Sequence, residues 1–309
     1  MKNTNKILVV RNDRFGEFLL NIPALRALKD AYPKANLVLA VNAAVKELAE
    51  AVEYADQVVV WDKQFRKAIK KHKFDLCVVL NPTKEAHWYC FLSGIPIRVG
   101  YDRKWGFLLT HKLKDTKYLG NRHEVECNLE LVGLVGAKTE DKSLSIKTKD
   151  KAFPEFTGQK IVAIHPFTSD PLKQWPIERF QQLAQRLAAE LVTGVLIIGK
   201  EEDKDIGRGK EYFDNLSRNI TNLINKTSLI ELAQILKNCR LFVSCDSGPV
   251  HLAVSVGTPV IALFRNDLQG KTSKRWGPWG EGHIVIEKKN LNDITVDEVL
   301  TKIKEIKHS

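Results

Sequence analysis

The segment SCDSGPVH, at positions 244–251, has residue types that could bind an anion. Asp246, Ser247 and Gly248 offer short polar side chains and a flexible backbone. Pro249 suits the start of a helix, because the N–H that it lacks forms no intrahelical bond there. Amides at a helix start carry a partial positive charge and can stabilise a phosphate without a metal. The alternative is an ordinary strand-to-helix turn, in which Asp246 or Ser247 caps the helix.

A second segment, HPFTSDPLKQWP at positions 165–176, has groups that suit a diphosphate. Thr168 and Ser169 offer hydroxyl donors, and Lys173 offers a cation close to a predicted helix start. The same residues also fit a long surface loop with an N-cap. We expect Trp175 to be a packing residue rather than one that stacks on a base.

Carboxylates and a histidine complete the candidates in this half of the chain. Glu201 or Glu202, after the apolar run at 195–198, could bind the two hydroxyls of a ribose, although a solvated helix start fits equally well. His251 lies one predicted helical turn after the anion-binding segment. It could pair with a phosphate or with Asp246, or it could simply be packed with one hydrogen bond.

The fourth candidate segment is RNDRFGE, at positions 11–17. Gly16 would let the backbone approach a ligand. Glu17 could act as a general base or ligand contact, or it could only complement the dipole of the helix that follows. The chain has no GxGxxG segment, so it offers no support for a nicotinamide or flavin cofactor. Its eight histidines lack HxxxH and HxH spacing, so we expect no histidine metal site.

Strands and helices that alternate along the chain must position these loops. The first half predicts strands at 6–10, 37–41, 58–61 and 76–80, and helices at 18–32, between the last two strands, and at 124–134. The second half predicts strands at 161–164, 194–198, 241–244 and 260–264, and helices at 176–191, 229–238 and 249–256. Such alternation requires parallel sheets. We therefore predict an α/β fold with two Rossmann-like doubly wound domains that face each other across a cleft.

The length and composition fit two cytoplasmic domains. The 309 residues divide into 1–150 and 151–309, with a polar linker at 137–160 that includes a possible strand at 144–147. A last basic helix at 296–306 could pack back on the N-terminal domain. The apolar runs are too short for a membrane span or signal peptide. Five widely spaced cysteines without a CxxC indicate reduced, packed thiols.

The charge of the chain indicates an anionic partner. It has 48 basic and 37 acidic residues, a formal charge of +11, with basic clusters at 63–73 and 101–117. Acidic lipid headgroups and phosphorylated glycans fit this charge. Nucleic acid also fits the charge, but no nucleic-acid motif accompanies the clusters, so we predict no such partner. Solvated helix faces and loops are the alternative explanation.

Motifs in four places, in matching order, resemble glycosyltransferase family 9, the ADP-heptose:lipopolysaccharide heptosyltransferases. They are ILVVRNDRFGEFLLNIPALRALKDAYP, HEVECNLELVGLVG, HPFTSDPLKQWPIERF, and FVSCDSGPVHLAVSVGTPVIALF with RWGPWG. The resemblance covers nearly the whole chain. It implies an inverting, metal-independent glycosyltransferase of the B-type fold without a cofactor, whose N-terminal domain binds the acceptor and whose C-terminal domain binds the donor.

The resemblance also assigns substrates and roles. It implies transfer of heptose from ADP-heptose to an inner-core sugar of lipopolysaccharide. The positions that match the donor contacts of the family are Thr168, Ser169, Lys173, Glu201 or Glu202, Asp246, Ser247, Gly248 and His251. Glu17 matches the catalytic aspartate of the family. Its extra methylene moves the carboxylate by about 1.5 Å, and a misplacement of about 1 Å can slow a reaction on the order of a hundredfold. Asp13 therefore competes for the role of general base.

The acceptor implies a place for the enzyme in the cell. Inner-core lipopolysaccharide bears carboxylates and phosphates at the inner membrane, so we expect peripheral, salt-sensitive association with an anionic membrane surface. Each surface Lys or Arg could contribute about 1 kcal/mol to it. The alternatives are a glycosyltransferase of the same fold that uses another nucleotide sugar for a surface glycan, a sugar-nucleotide epimerase, and a non-catalytic nucleotide-sugar binding protein.

Overall fold

A computed structural model describes residues 4–149, 160–190, 194–200, 211–214 and 216–306. The chain divides into two compact units, Met1–Lys147 and Thr148–Ser309. Each unit is built on a six-stranded sheet. Glu201 and Glu202 lie outside the described residues.

The first unit follows the predicted alternation. Its strands are β1 (Lys6–Arg11), β2 (Asn36–Val41), β3 (Gln57–Val60), β4 (Leu76–Val79), β5 (Ile97–Tyr101) and β6 (His111–Leu113). Its helices are α1 (Phe15–Leu19), α2 (Ile22–Ala31), α3 (Lys46–Glu50), α4 (Lys63–Ala68), α5 (Lys84–Leu92) and α6 (Glu124–Gly133). The strand order is β3-β2-β1-β4-β5-β6, and the paired strands are parallel.

The second unit repeats this plan. Its strands are β7 (Ile161–His165), β8 (Gly194–Ile197), β9 (Ile220–Asn222), β10 (Leu241–Cys245), β11 (Val260–Arg265) and β12 (Ile284–Lys288). Its helices are α7 (Ile177–Glu190), α8 (Leu229–Lys237), α9 (Gly248–Ser255), α10 (Ser273–Trp276) and α11 (Val296–Glu305). The strand order is β12-β11-β10-β7-β8-β9, again with parallel pairs.

Burial explains why these segments form strands and helices. The central strands β1, β4, β7 and β10 are almost entirely apolar, as strands covered on both faces must be. In α7 the buried residues recur at helical spacing, which gives the helix one apolar face toward the sheet: Phe180, Leu183, Ala184, Leu187 and Ala188. Both sheets have the order of a doubly wound fold, so the prediction of two Rossmann-like domains is confirmed.

Two details differ from the sequence-based expectations. The predicted helix at 18–32 is two helices, α1 and α2, and Pro23 lies in the first turn of α2, where its missing N–H is tolerated. Residues 144–147 form no strand; the Lys147 amide instead donates to the Ala51 carbonyl at 2.9 Å. Within the second unit, the last helix, α11, packs against α7, where Arg186 pairs with Asp297. Its packing on the N-terminal domain stays a prediction.

Candidate functional site

The sheet order decides which loops meet. In a doubly wound sheet, ligands bind outside the carboxyl ends of the strands, where the strand order reverses. In the second unit that point lies between the neighbouring strands β7 and β10. The loop at 165–176 follows β7 and the segment at 244–251 follows β10. The two segments selected from the sequence are therefore neighbours at one end of the sheet.

Lys173 and Asp246 connect these two loops. The Lys173 ammonium forms an ion pair with Asp246 Oδ2, although the residues are 73 positions apart. Both side chains are mostly buried. Thr168 Oγ1 lies 3.5 Å from the Asp246 carbonyl oxygen and donates to it. The structure thus brings Thr168, Lys173 and Asp246 together, with Asp246 in contact with both of the others.

A second set of polar contacts shapes the start of α9. Ser247 precedes this helix, but its side chain does not cap it. The Ser247 hydroxyl lies 2.9 Å from Ser244 Oγ and 3.3 Å from His165 Nδ1, and the Ser244 hydroxyl also lies 3.2 Å from that nitrogen. The alternative in which the Ser247 side chain caps the helix therefore does not hold. The hydroxyl of Ser247 is instead fixed to the end of β7.

Burial keeps His165 neutral. It lowers the pKa of the imidazole from its usual value near 6.5 to about 4. At neutral pH the ring can therefore accept or donate a hydrogen bond to the two serines without bringing a charge into the core. The sequence-based reasoning did not select His165, although it opens the HPFTSD segment.

The other predicted donor contacts lie on the same two segments. Ser169 is exposed in the loop after β7. Gly248 is the first residue of α9, and His251 is buried one turn further on. Trp175 is fully buried against Phe180, so its expected packing role is confirmed. Contact between any of these residues and a nucleotide sugar stays a prediction.

Asp170 and Lys271 extend this polar region beyond the predicted residues. The Asp170 amide donates to Thr168 Oγ1 at 3.3 Å, and its carboxylate pairs with Lys271 at 3.0 Å. The hydrogen bond from Lys271 lowers the pKa of Asp170. Lys271 belongs to the segment between β11 and α10, just before the RWGPWG motif. The structure therefore links that motif to the loop after β7.

The first unit places its candidate carboxylates after β1, at the point where its own strand order reverses. Glu17 lies in the first turn of α1 and pairs with Arg14 at 2.7 Å. Asp13 pairs with the buried Arg11, also at 2.7 Å, and Arg11 in turn donates to the Leu80 carbonyl at 3.2 Å. Burial raises the pKa of Asp13, and the charge of Arg11 opposes that change. Both predicted carboxylates thus lie on one loop, each beside an arginine.

The described part of the chain contains neither a cluster of metal ligands nor a membrane-spanning helix. Within it, no three His, Cys, Asp or Glu side chains are grouped so that they could hold a metal ion. Among the described helices, none is long and apolar enough to cross a bilayer. All five cysteines are buried and free.

Comparison with known proteins identifies the family. The model of glycosyltransferase family 9 (heptosyltransferase) matches residues 63–303. This chain belongs to glycosyltransferase family 9. It is therefore a glycosyltransferase, as its motifs implied. The match spans both units, including the loops after β7 and β10.

Individual relatives of this family-9 glycosyltransferase are distant in sequence but similar over their whole length. Lipopolysaccharide heptosyltransferase 3 of Escherichia coli is 24% identical over 87% of this chain and 85% of its own. The glycosyl transferase family 9 structure from Veillonella parvula has a TM-score of 0.85 at 19% identity and covers 98% of this chain and 97% of its own. The E. coli heptosyltransferase WaaC, solved with ADP-2-deoxy-2-fluoro heptose, has a TM-score of 0.76 at 18% identity and covers 97% and 99%. The predicted two-domain fold is thus shared with solved heptosyltransferases.

Proposed function

We propose that this enzyme transfers heptose from ADP-heptose to an inner-core sugar of lipopolysaccharide, with inversion and without a metal. The observation that best supports this donor is the group formed by Lys173, Thr168 and the start of α9 at the carboxyl ends of β7 and β10. A cation, a hydroxyl and helix amides are suitable partners for a diphosphate. The similarity to WaaC with its ADP-sugar supports the same donor class. The similarity to lipopolysaccharide heptosyltransferase 3 supports the acceptor.

The proposed reaction is a single displacement. The acceptor oxygen attacks the anomeric carbon of the heptose from the face opposite ADP, and its proton passes to a carboxylate of the enzyme. As the new C–O bond forms, the bond to the β-phosphate oxygen breaks and its electron pair leaves with ADP. Lys173 and the amides of Ser247 and Gly248 stabilise the negative charge that develops on the diphosphate.

The surroundings of the two carboxylates favour Glu17 as the base. Its partner Arg14 has a side chain that is 74% exposed, so water screens the charge of that guanidinium and weakens the pair. Arg11, the partner of Asp13, is only 3% exposed and is fixed to the next strand of the sheet. Asp13 remains the competitor, because its raised pKa would make it the stronger base once ionised.

Two isosteric variants test this assignment. Glu17→Gln should lower the rate of heptose transfer by about a hundredfold or more, since general-base catalysis contributes factors of about 10² to 10⁴. Asp13→Asn should lower it less. ADP affinity, measured by calorimetry, is the control and should match the wild type in both. Full transfer by Glu17→Gln together with a collapse in Asp13→Asn would assign the base to Asp13.

The donor and the absence of a metal need separate measurements. Mass spectrometry of products from a panel of nucleotide sugars should show consumption of ADP-heptose in preference to the others. EDTA should leave the rate of transfer unchanged. Consumption of another nucleotide sugar instead would indicate that the enzyme builds a different surface glycan. Binding of ADP-heptose without any transfer would favour a non-catalytic binding protein, which the glutamate at the family's aspartate position makes worth testing.

The proposed acceptor lies in a membrane, so we also place the enzyme at the cytoplasmic face of the inner membrane. The charge of +11 supports association with anionic lipid. In flotation with anionic vesicles, binding is expected at low salt and should weaken as salt is added.

A further inference from the structure

Exposed apolar side chains of the first unit are concentrated in one region. Among the described residues, nine large apolar side chains are exposed, and five of them fall between positions 88 and 107. We call these five the aromatic patch: Trp88, Phe91, Leu92, Trp105 and Phe107. Scattered exposed apolar residues are ordinary on a protein surface, but a cluster of them marks an interaction site.

Ring contacts hold most of the aromatic patch together. The ring centroids of Trp88 and Phe91 are 6.3 Å apart, and those of Trp88 and Trp105 are 5.8 Å apart. Trp88, Phe91 and Leu92 share one face of α5, while Ala86 and Cys90 are buried. The helix is therefore apolar on its solvent side as well as on its core side. A surface helix that contacts only water normally has polar residues on its solvent side.

The turn that presents Trp105 is conformationally costly. Lys104 and Trp105 both have positive φ angles, 46° and 71°, which side chains other than glycine adopt rarely. Two such residues in sequence persist only where the surrounding structure imposes them, and they concentrate at functional sites. Phe107, two residues after Trp105, is 72% exposed, which is the highest value among the large apolar side chains described.

Basic side chains accompany the aromatic patch. Lys84 lies 5.7 Å from the ring centroid of Trp105, and Arg98 lies 5.5 Å from that of Phe91. Between positions 84 and 114 the chain has six basic and two acidic residues. Both acids are paired: Glu85 with Arg66 at 3.2 Å, and Asp102 with Lys112 at 3.0 Å. The region therefore presents an excess of positive charge next to exposed rings.

We infer that the aromatic patch, with Lys84 and Arg98, is the surface that docks this enzyme on an anionic bilayer. Tryptophan and phenylalanine sit at the boundary between headgroups and acyl chains, while Lys and Arg meet the negative surface. Aromatic residues and arginine are also common in protein interfaces, but lysine is depleted there, so Lys84 and the other lysines of this region favour the membrane. The inference rests on the proposed membrane acceptor and names the residues that reach the membrane.

Vesicle flotation with matched variants tests the assignment. The probe is a vesicle of phosphatidylglycerol and phosphatidylethanolamine, compared with one of phosphatidylcholine alone. Phe107→Ser should weaken partitioning into the anionic vesicle about tenfold, and Lys84→Gln about fivefold. The controls Val285→Ser and Lys226→Gln, which change exposed residues of the second unit, should bind like the wild type. If both patch variants bind vesicles as well as the wild type, the inference is wrong. It is also wrong if the wild type binds no vesicles but forms a dimer that Phe107→Ser abolishes.

A second measurement locates the contact directly. Brominated anionic lipids should quench the tryptophan fluorescence of the wild type, and Trp88→Phe/Trp105→Phe should lose that quenching while still floating with vesicles. Quenching that persists in this variant would place the contact elsewhere. Titration with ADP separates the two proposals: unchanged ADP affinity in Phe107→Ser with lost flotation supports docking. If the wild type does not bind ADP, the donor assignment is wrong, whereas the flotation result still stands.

Discussion

At the scale of single residues, the second unit holds its one candidate phosphate-binding lysine with a carboxylate. Asp246 neutralises Lys173 in the structure and also fixes the position of the ammonium group. A diphosphate would have to share that cation with Asp246. The pair therefore has two effects of opposite sign on donor binding, since it positions the cation but also places a negative charge beside an anionic ligand.

A double-mutant cycle separates these effects. Lys173→Gln should weaken ADP binding at least about tenfold, because it removes the cation and leaves the Asp246 carboxylate near the ligand without the charge of Lys173 beside it. Adding Asp246→Asn should restore part of that affinity. Calorimetric titration of ADP with the wild type, both single variants and the double variant gives the coupling. Effects that simply add would mean that the two residues act independently on the donor.

His165 gives a prediction for stability at acidic pH. The unfolded imidazole takes up a proton near pH 6.5, but burial holds the native pKa at about 4. The unfolded state therefore binds more protons between these values, and stability is lost as the pH falls through that window. The loss amounts to about 3 kcal/mol by pH 4.

Denaturant unfolding between pH 4 and 7 tests this prediction. His165→Gln keeps a polar group beside the two serines but cannot take up the proton. Its free energy of unfolding should therefore decline less steeply below pH 6.5 than that of the wild type. If the free energies of unfolding of the variant and the wild type fall equally with pH, protonation of His165 does not cause the loss of stability.

At the scale of elements, the loops after β7 and β8 are packed closely enough to require a glycine. Gly199 follows β8 with φ at 154°, and a Cβ atom there would lie 2.7 Å from Cε2 of Phe167. It would also lie 3.4 Å from the His165 ring. A side chain at this position must therefore displace the ring of Phe167, which belongs to the loop that carries Thr168 and Lys173.

Two glycine variants distinguish this close packing from backbone strain. Gly199→Ala should lower the free energy of unfolding by about 2–4 kcal/mol, because the clash adds to the unfavourable backbone angle. Gly94, after α5, has φ at 72° but no atom near its missing Cβ. Gly94→Ala should therefore cost only about 1 kcal/mol. Equal losses in chemical denaturation would mean that Phe167 moves aside freely.

The same elements show what the sequence could predict. Strands β7 and β10 are continuous apolar runs, so their positions and the loops that follow them were found from pattern alone. Four strands were missed. β6 and β9 are three residues long and partly polar, and β5 and β12 include charged residues that interrupt their apolar runs. The pairing of Lys173 with Asp246 depends on sheet order, which no local pattern encodes. The aromatic patch was missed because helix α5 has apolar residues on both faces and gives no helical periodicity.

At the scale of the whole molecule, the two units share one plan. Each has its first and fourth strands adjacent at the centre of a parallel sheet. The second unit has candidate residues in the loops after both of these strands, and the first unit has them in the loop after β1. The fold alone therefore offers two equivalent places for a nucleotide. The residues differ: the second unit has a lysine at this point, whereas the first has two carboxylates beside arginines. We therefore propose that the second unit binds the diphosphate of the donor and that the first supplies the base for the acceptor.

Hydrogen exchange in the presence of ADP tests this division of roles. Saturating ADP should slow exchange in the segments at 166–175 and 246–250, because their amides and side chains would contact the diphosphate. Exchange at 11–17 should change little with ADP alone. The Lys173→Gln variant is the matched control and should show weaker protection at the same ADP concentration. Protection confined to residues 11–17 would reverse the roles of the two units and remove Lys173 from the donor site.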